Sequence, residues 1–474
     1  MRQHPKSVSK STRKKSPRRR QPVGRARKPS APSEALKALC EDGGGFLSLL
    51  LKRINWDGLN SLQHRKHAAG RPERRLARGR LLAATIFHYT VTWAGTLGEH
   101  LFWLLGIKMS ESSLSERRQA LPFTVFEELL SRVLRPLINP GPHALYKELR
   151  LSAMDGVGFS LANSPTVKER GHKGRNQKGR HTFARLQCAA LIELISHNPL
   201  AARMSWTGDS EWKLAQPLLD HLPEKCLLLA DRHYGCAEFL LAAWAKLQPL
   251  AGHFLIRVRQ NLLVKRVIKG LSDGSRIIEV QESKNGRTLQ VREIQATLQR
   301  NGLRPVQVRL WTSLLDEVHA PARELVSLYT TRWEEELYFR ELKRELKLNN
   351  VLYSQTPETG AQEVAAMIIG SSLIAEERSN LNPEQGPTHR ISFIKVWETL
   401  EPLWLTLLLG ADILTETQKQ QLCDRFYKLA SQRAMAKKRT RSCPRALCRP
   451  HRPWPKRSNQ PSSDEPVAVT ILTA

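Results

Sequence analysis

Residues 329–347 read YTTRWEEELYFRELKRELK, a run with neither Gly nor Pro and rich in Leu, Glu, Arg and Lys, so a helix is expected. At about 100° per residue, with Tyr329 at zero, Arg332, Glu336, Lys343, Arg340 and Lys347 fall at roughly 300°, 340°, 320°, 20° and 0°. One carboxylate, Glu336, is thereby ringed on a single face by a phenol and four cations. Glu334, Glu335, Glu341 and Glu345 point elsewhere on this wheel. Leu328, Tyr338, Phe339, Leu342 and Leu346 form the adjoining apolar stripe that docks such a helix on a core. The plain reading is a solvated helix with i,i+4 ion pairs. The sharper one is a catalytic Glu336 set in a phosphate-binding strip, and it requires further carboxylates from elsewhere in the chain.

Composition narrows the partner. The 474 residues suffice for two or three domains and a large core. Seventy-five Lys and Arg against 44 Asp and Glu give a formal charge of +31, which favours a polyanion, above all nucleic acid. No basic amphipathic helix with a large apolar face supports a membrane surface instead. The longest apolar region, 81–105, is interrupted by His88, Glu99 and His100, which argues against a membrane span. The basic N-terminus lacks the apolar stretch of a secretory signal. Seven scattered Cys suggest reduced thiols in a cytosol, and Cys443, Cys448 and His451 lack a fourth ligand for zinc.

In chain order, 1–35 reads as a disordered basic tail, with no acid before Glu34, adding sequence-blind DNA affinity. Residues 36–148 are helical in pattern and, with Arg71, Arg74, Arg75, Arg78 and Arg80 clustered before the longest run, suggest a DNA-binding domain. Ser113 or Ser115 is the expected cap of its last helix. At 149 the character changes. Residues 149–259 hold a strand running into Asp155-Gly156, a basic loop, two more strands, and the apolar run 225–231 (KCLLLAD), the mark of a buried central strand. A β-rich segment follows at 260–303, with turns at Asp273-Gly274 and Asn285-Gly286. Residues 304–380 return to a strand, the Glu336 helix and a helix packing behind it. A helical module at 381–432 and a second disordered basic tail at 433–474 complete the chain. The apolar stretch 391–414 is a candidate dimer surface.

Asp155 and Asp231 each stand where an apolar strand is expected to stop, and the Glu336 helix packing across those ends would bring three carboxylates together. Two carboxylates about 4 Å apart repel by roughly 4 kcal/mol at an effective dielectric of 20, so the cluster persists only if protonated or filled by cations. All-oxygen ligands suit Mg²⁺ or Mn²⁺, and two such ions can activate an attacking hydroxyl and stabilise a leaving oxygen on a phosphodiester. Taken singly, Asp155 is also an ordinary Asp-Gly turn residue, and Asp231 a turn residue or helix cap.

Tyr329-x2-Arg332-x3-Glu336-x6-Lys343 resembles the signature around the last catalytic acid in a subgroup of DDE transposases of bacterial insertion sequences. Asp155-Gly156, and Asp231-Arg232 with Tyr234-Gly235, resemble its first two acidic motifs. The resemblance spans about residues 80–380. It implies an α/β fold with a ribonuclease-H-like mixed sheet, Asp155 on the first strand, Asp231 after the fourth and Glu336 on a later helix, with a β-rich insertion before the glutamate. It implies catalysis and metal binding by Asp155, Asp231 and Glu336 with two Mg²⁺ (or Mn²⁺) ions. It also implies DNA contacts by Tyr329, Arg332, Lys343, Arg340 and Lys347, cleavage at element ends, often through a hairpin, and strand transfer by a homodimer bound to double-stranded DNA in the bacterial cytoplasm. Two positions depart from the pattern. His233 stands where many members have a small residue, and Trp311 sits about three residues off the place of a base-stacking Trp. A ribonuclease-H-like nuclease without strand transfer and a non-catalytic DNA-binding regulator are the rival readings.

Overall fold

The computed structural model describes residues 78–91, 95–138, 144–176, 179–180, 182–283, 285–299, 305–345, 351–381, 391–410, 413–433 and 468–472. The expected N-terminal tail, the arginine cluster up to Arg75, the cysteines at 443 and 448, and Lys347 lie outside them.

Cys226-Leu-Leu-Leu-Ala230 forms β4, and all five residues are buried, as a continuous apolar run demands of a strand covered on both faces. Around it lie β1 (Leu149–Ser160), β2 (Arg185–Glu193), β3 (Asn198–Ser205) and β5 (His253–Arg257). Their spatial order is β3-β2-β1-β4-β5. β1 runs parallel to β4, and β4 parallel to β5, whereas β2 is antiparallel to both β1 and β3. The segment expected to be β-rich supplies β6 (Arg266–Gly270), β7 (Arg276–Gln281) and β8 (Thr288–Gln299). Its two turns carry left-handed Gly274 (φ 83°) and Gly286 (φ 68°), the backbone that Asp-Gly and Asn-Gly pairs favour. Through β9 (Val306–Thr312) these strands continue the main sheet as β5-β9-β8-β7-β6. The insertion is thus an extension of the core sheet.

Helices cover both faces. One layer holds α1 (Arg78–Thr90), α2 (Leu97–Leu105), α3 (Glu111–Gln119) and α4 (Phe123–Val133). α1 and α4 pack on the long α10 (Pro357–Ser379), so the helical segment 78–133 shares one core with the sheet. The α3 cap is Ser110, whose hydroxyl accepts from the Ser113 amide, in place of the expected Ser113 or Ser115. The short helix α5 (Pro165–Arg170) follows β1. On the other face, α6 (Glu211–Ala215) and α7 (Ala237–Leu247) cover β4 and β5 with a second apolar cluster around Leu228, Phe239 and Phe254.

Three expectations change. The 329–347 run is not one helix: α8 (Ala322–Tyr329) passes into a 3₁₀ turn at Thr330–Arg332, then α9 (Trp333–Arg340), then a π-helical turn at Glu341–Glu345. The 391–414 stretch forms α11 (Phe393–Leu409), which buries Phe393, Val396, Trp397, Leu400 and Trp404 in this chain's own core, beside α12 (Glu416–Ser431). Near the C-terminus, Ala468–Ile471, with Val469, Thr470 and Ile471 all β-branched, adds strand β10 against β8.

Candidate active site

The parallel pairing of β1 with β4 ends at Met154 opposite Ala230, so the next residue on each strand is an aspartate. Asp231 lies just past the end of β4, as expected. Asp155 does not end its strand: β1 continues to Ser160 on its pairing with β2, and only the β4 partnership stops there. Strands lie about 4.8 Å apart, so the two side chains start as neighbours. Each is oriented by backbone. Asp155 Oδ1 accepts from its neighbour Gly156 N–H at 2.8 Å, and Asp231 Oδ1 accepts from His233 N–H at 2.7 Å. His233 meets Asp231 through its amide, and the residue itself is exposed.

Both aspartates line a cleft of about 690 Å³ with Glu211, Arg232, Arg257 and Arg259. Glu211 starts α6 and accepts from the buried Tyr234 hydroxyl at 2.7 Å. Gly156 makes room for it, since a Cβ there would meet the Glu211 carboxyl at 2.2 Å. Burial, opposed by the Gly156 amide and assisted by Glu211 and Asp231, pushes the Asp155 carboxyl up to about 6. This is the pattern of carboxylates sharing one site.

Tyr329 is buried, and its hydroxyl donates to the Ala230 carbonyl at 3.3 Å, which ties α8 to the end of β4 one residue before Asp231. Arg332 stands among the acids. Nη1 is 3.7 Å from Asp155 Oδ2 and from Glu335 Oε2, and Nη2 is 3.7 Å from Glu336 Oε1. Lys343 is half-buried with its ammonium over the Phe159 ring at 5.5 Å, and burial lowers its pKa. Arg340 is exposed.

The wheel places Glu335 at roughly 240°, within the apolar stripe, and Glu336 at roughly 340°, and their burial follows those positions. Glu336 is half exposed, whereas its neighbour Glu335 is fully buried with no hydrogen bond to either carboxylate oxygen. Burial first, then Asp155, holds Glu335 well above the usual carboxylate range. Both glutamates, at i+3 and i+4, lie one turn beyond Arg332 and reach its guanidinium at 3.7 Å.

The donor chemistry suits a hard divalent cation, since the cleft offers carboxylates and Glu335 has two bare oxygens. The spacing does not. Among the described residues, no three His, Cys, Asp or Glu side chains stand close enough to hold an ion, and Arg332 lies between them. In this arrangement the acids do not close on a metal.

Sequence reasoning missed Glu335, Glu211, Arg257 and Arg259. Glu335 was set aside because it points away from the cationic face, and the others reach the cleft from α6 and the end of β5 with no motif to mark them. Trp311 is a core residue, 1 % exposed, and its indole N–H donates to Glu293 Oε1 at 3.0 Å.

Residues 146–362 match the family described as the transposase DDE domain. Transposase InsG for insertion sequence element IS4, from Escherichia coli strain K12, is 25% identical over 303 residues, which covers 62% of this chain and 64% of that protein. The chain thus spans somewhat less than two thirds of the length of that curated relative. A cryo-EM structure of a piggyBac transposase synaptic complex with hairpin DNA superposes with a TM-score of 0.40 at 8% identity, covering 83% of this chain and 84% of that one. That likeness is too slight to bear on the site. Residues 146–362, which contain Asp155, Asp231 and Glu336, are thus similar to the transposase DDE domain, and the chain resembles an insertion-sequence transposase over that span.

Proposed function

We propose that this protein cuts DNA at the ends of its insertion element and joins the freed 3′-hydroxyl to target DNA, using Asp155, Asp231 and Glu336 as catalytic acids. The observation that carries this reading is the β1–β4 register, which sets the two aspartates side by side in one cleft inside the matched domain. The sheet order β3-β2-β1-β4-β5 supports its ribonuclease-H-like character. Arg232, Arg257 and Arg259 edge the same cleft and suit phosphodiester oxygens, as does the formal charge of +31. Arg332, Arg340, Lys343 and Tyr329 keep their proposed part in holding the cut strand. For Tyr329 and Arg332 the support is their place beside Asp231 and Asp155.

Divalent ions, Mg²⁺ or Mn²⁺, belong to this proposal through the DDE class. Two copies of the chain on a pair of double-stranded ends, in a bacterial cytoplasm, complete it. Among the described residues no helix is long and apolar enough to cross a membrane. The test is incubation with a duplex bearing the element's own ends plus a second DNA, with and without Mg²⁺, resolved on a denaturing gel. Nicks and joined products are expected. Nicks without joining would point to a hydrolytic nuclease, and binding without nicks to a regulator.

A further inference from the structure

Arg309 on β9 joins the sheet extension to the rim of the cleft. Its Nε donates to the buried Glu293 carboxylate on β8 at 2.6 Å. Its Nη1 faces the segment that leaves β5, 2.7 Å from the Leu262 carbonyl, 3.0 Å from that of Gln260 and 3.3 Å from that of Arg259. Three carbonyls of one turn thus converge on a single nitrogen. The main chain adds to this hold. The Val258 N–H donates to the Arg309 carbonyl at 2.8 Å, and the Leu262 N–H to the Arg259 carbonyl at 3.3 Å. The Arg309 side chain is almost buried, with its guanidinium 5.4 Å from the centre of the Trp311 ring.

The turn held in this way is part of the cleft wall. Val258, Arg259, Gln260 and Asn261 line the cleft together with Asp155 and Asp231. Arg259, Gln260 and Asn261 are exposed, and Arg259 brings a cation suited to a phosphodiester oxygen. Ordering the backbone of such a turn costs roughly 1–2 kcal/mol per residue. Arg309 offsets that cost before any substrate arrives. A buried ion pair adds little net stability over apolar packing, so what Glu293 and Arg309 contribute here is geometry. A planar fork of N–H groups can meet a carboxylate and a set of carbonyls at once, which a point charge cannot.

We propose that Arg309 is a positioning residue for DNA binding, holding the 259–262 backbone in the shape that presents Arg259 to a phosphate of the duplex. The sheet extension thereby takes part in substrate binding without touching substrate. This rests on the reading of the cleft as a DNA site.

The test is binding of the full chain, in EDTA, to a duplex bearing the element's own ends. Fluorescence anisotropy reads it from about 50 to 200 mM salt, where each phosphate contact adds about 0.9 to the slope of log K against log salt. Thermal unfolding of the same samples reports the fold. Arg259→Gln is expected to lower the slope by about 0.9, Arg309→Met by the same amount, and the double variant by no more than either alone. Arg309→Met leaves Glu293 paired with Arg276 and the Trp311 indole. A glycine inserted between Gln260 and Asn261 lengthens the exposed turn without touching the buried pair. It is expected to reproduce the loss, and it decides the matter if the methionine variant does not fold. A lowered melting temperature with an unchanged slope in either folded variant, beside a reduced slope in Arg259→Gln, overturns the positioning role and leaves the cleft reading standing. Losses that add in the double variant overturn it too. An unchanged slope in Arg259→Gln removes the phosphate from the rim, and defeats the proposal together with that part of the cleft reading.

Discussion

Met154 on β1 and Ala230 on β4 are register partners in a parallel pair, and each is followed by an aspartate. The proximity of Asp155 and Asp231 is thus set by backbone pairing and does not depend on flexible side chains. The cost appears in Asp155, raised to about 6 by burial, Glu211 and Asp231.

That shift fixes a pH dependence. The unfolded carboxyl titrates near its ordinary value of about 3.9, so its contribution to stability is fully present below pH 4 and is lost as pH rises through about 6. Asp155→Asn should therefore stabilise the metal-free protein at pH 8 by about 3 kcal/mol and have almost no effect at pH 4. Urea denaturation at both pH values checks this, and an equal effect at both contradicts it.

Tyr329→Phe removes the hydroxyl that reaches the Ala230 carbonyl. A loss of about 1 kcal/mol is expected. Because that bond joins α8 to the end of β4, strand cleavage should fall more than DNA binding does. The two are separated by a gel-shift assay run beside a cleavage assay.

Gly235 lets the turn after Asp231 approach the end of β5. A Cβ at 235 would stand 2.4 Å from the Arg257 carbonyl oxygen and 2.8 Å from Val258 Cα, both backbone atoms that cannot swing aside. Gly235→Ala should cost about 1–3 kcal/mol as an overpacked site. It should also widen the cleft between Asp231 and Arg257, seen as a fall in cleavage larger than that of Gly158→Ala, where the nearest atoms are side-chain atoms at 3.4 Å.

Glu293 on β8 is the buried hub of the sheet extension. It accepts from Arg309 Nε at 2.6 Å, Arg276 Nε at 2.7 Å and the Trp311 indole at 3.0 Å. Glu293→Ala strands the almost buried Arg309 and should destabilise by about 3–5 kcal/mol. Thermal unfolding measures it, and a change of only a degree or two would contradict the role.

The buried strand 226–230, the two turns of the insertion and the long helix behind the site could be read because each has a strong local cause. These are a continuous apolar run, Asp-Gly and Asn-Gly pairs, and a long segment dominated by Ala, Ile, Leu, Met and Val at its centre. The aspartates could be read from their motifs and the run of Leu ending at Asp231. The break of the 329–345 run into 3₁₀, α and π turns could not, because no residue in Thr330-Thr331-Arg332 forbids ordinary helix. Glu211, Arg257 and Arg259 were also invisible. Their place in the cleft follows from how α6 and β5 lie against β1 and β4, a tertiary fact with no sequence spacing. Strand β10 was lost among Pro, Arg and Ser, although Val467 to Leu472 has the composition of a strand.

The most direct test of the central claim is strand cleavage of the element's own ends by Asp155→Asn and Asp231→Asn, beside the parent, with Mg²⁺ and matched DNA binding. Two adjacent aspartates sharing one cleft should make the two variants equally inactive, with nicking reduced at least a thousandfold and binding nearly unchanged. Robust nicking by either variant would contradict the account.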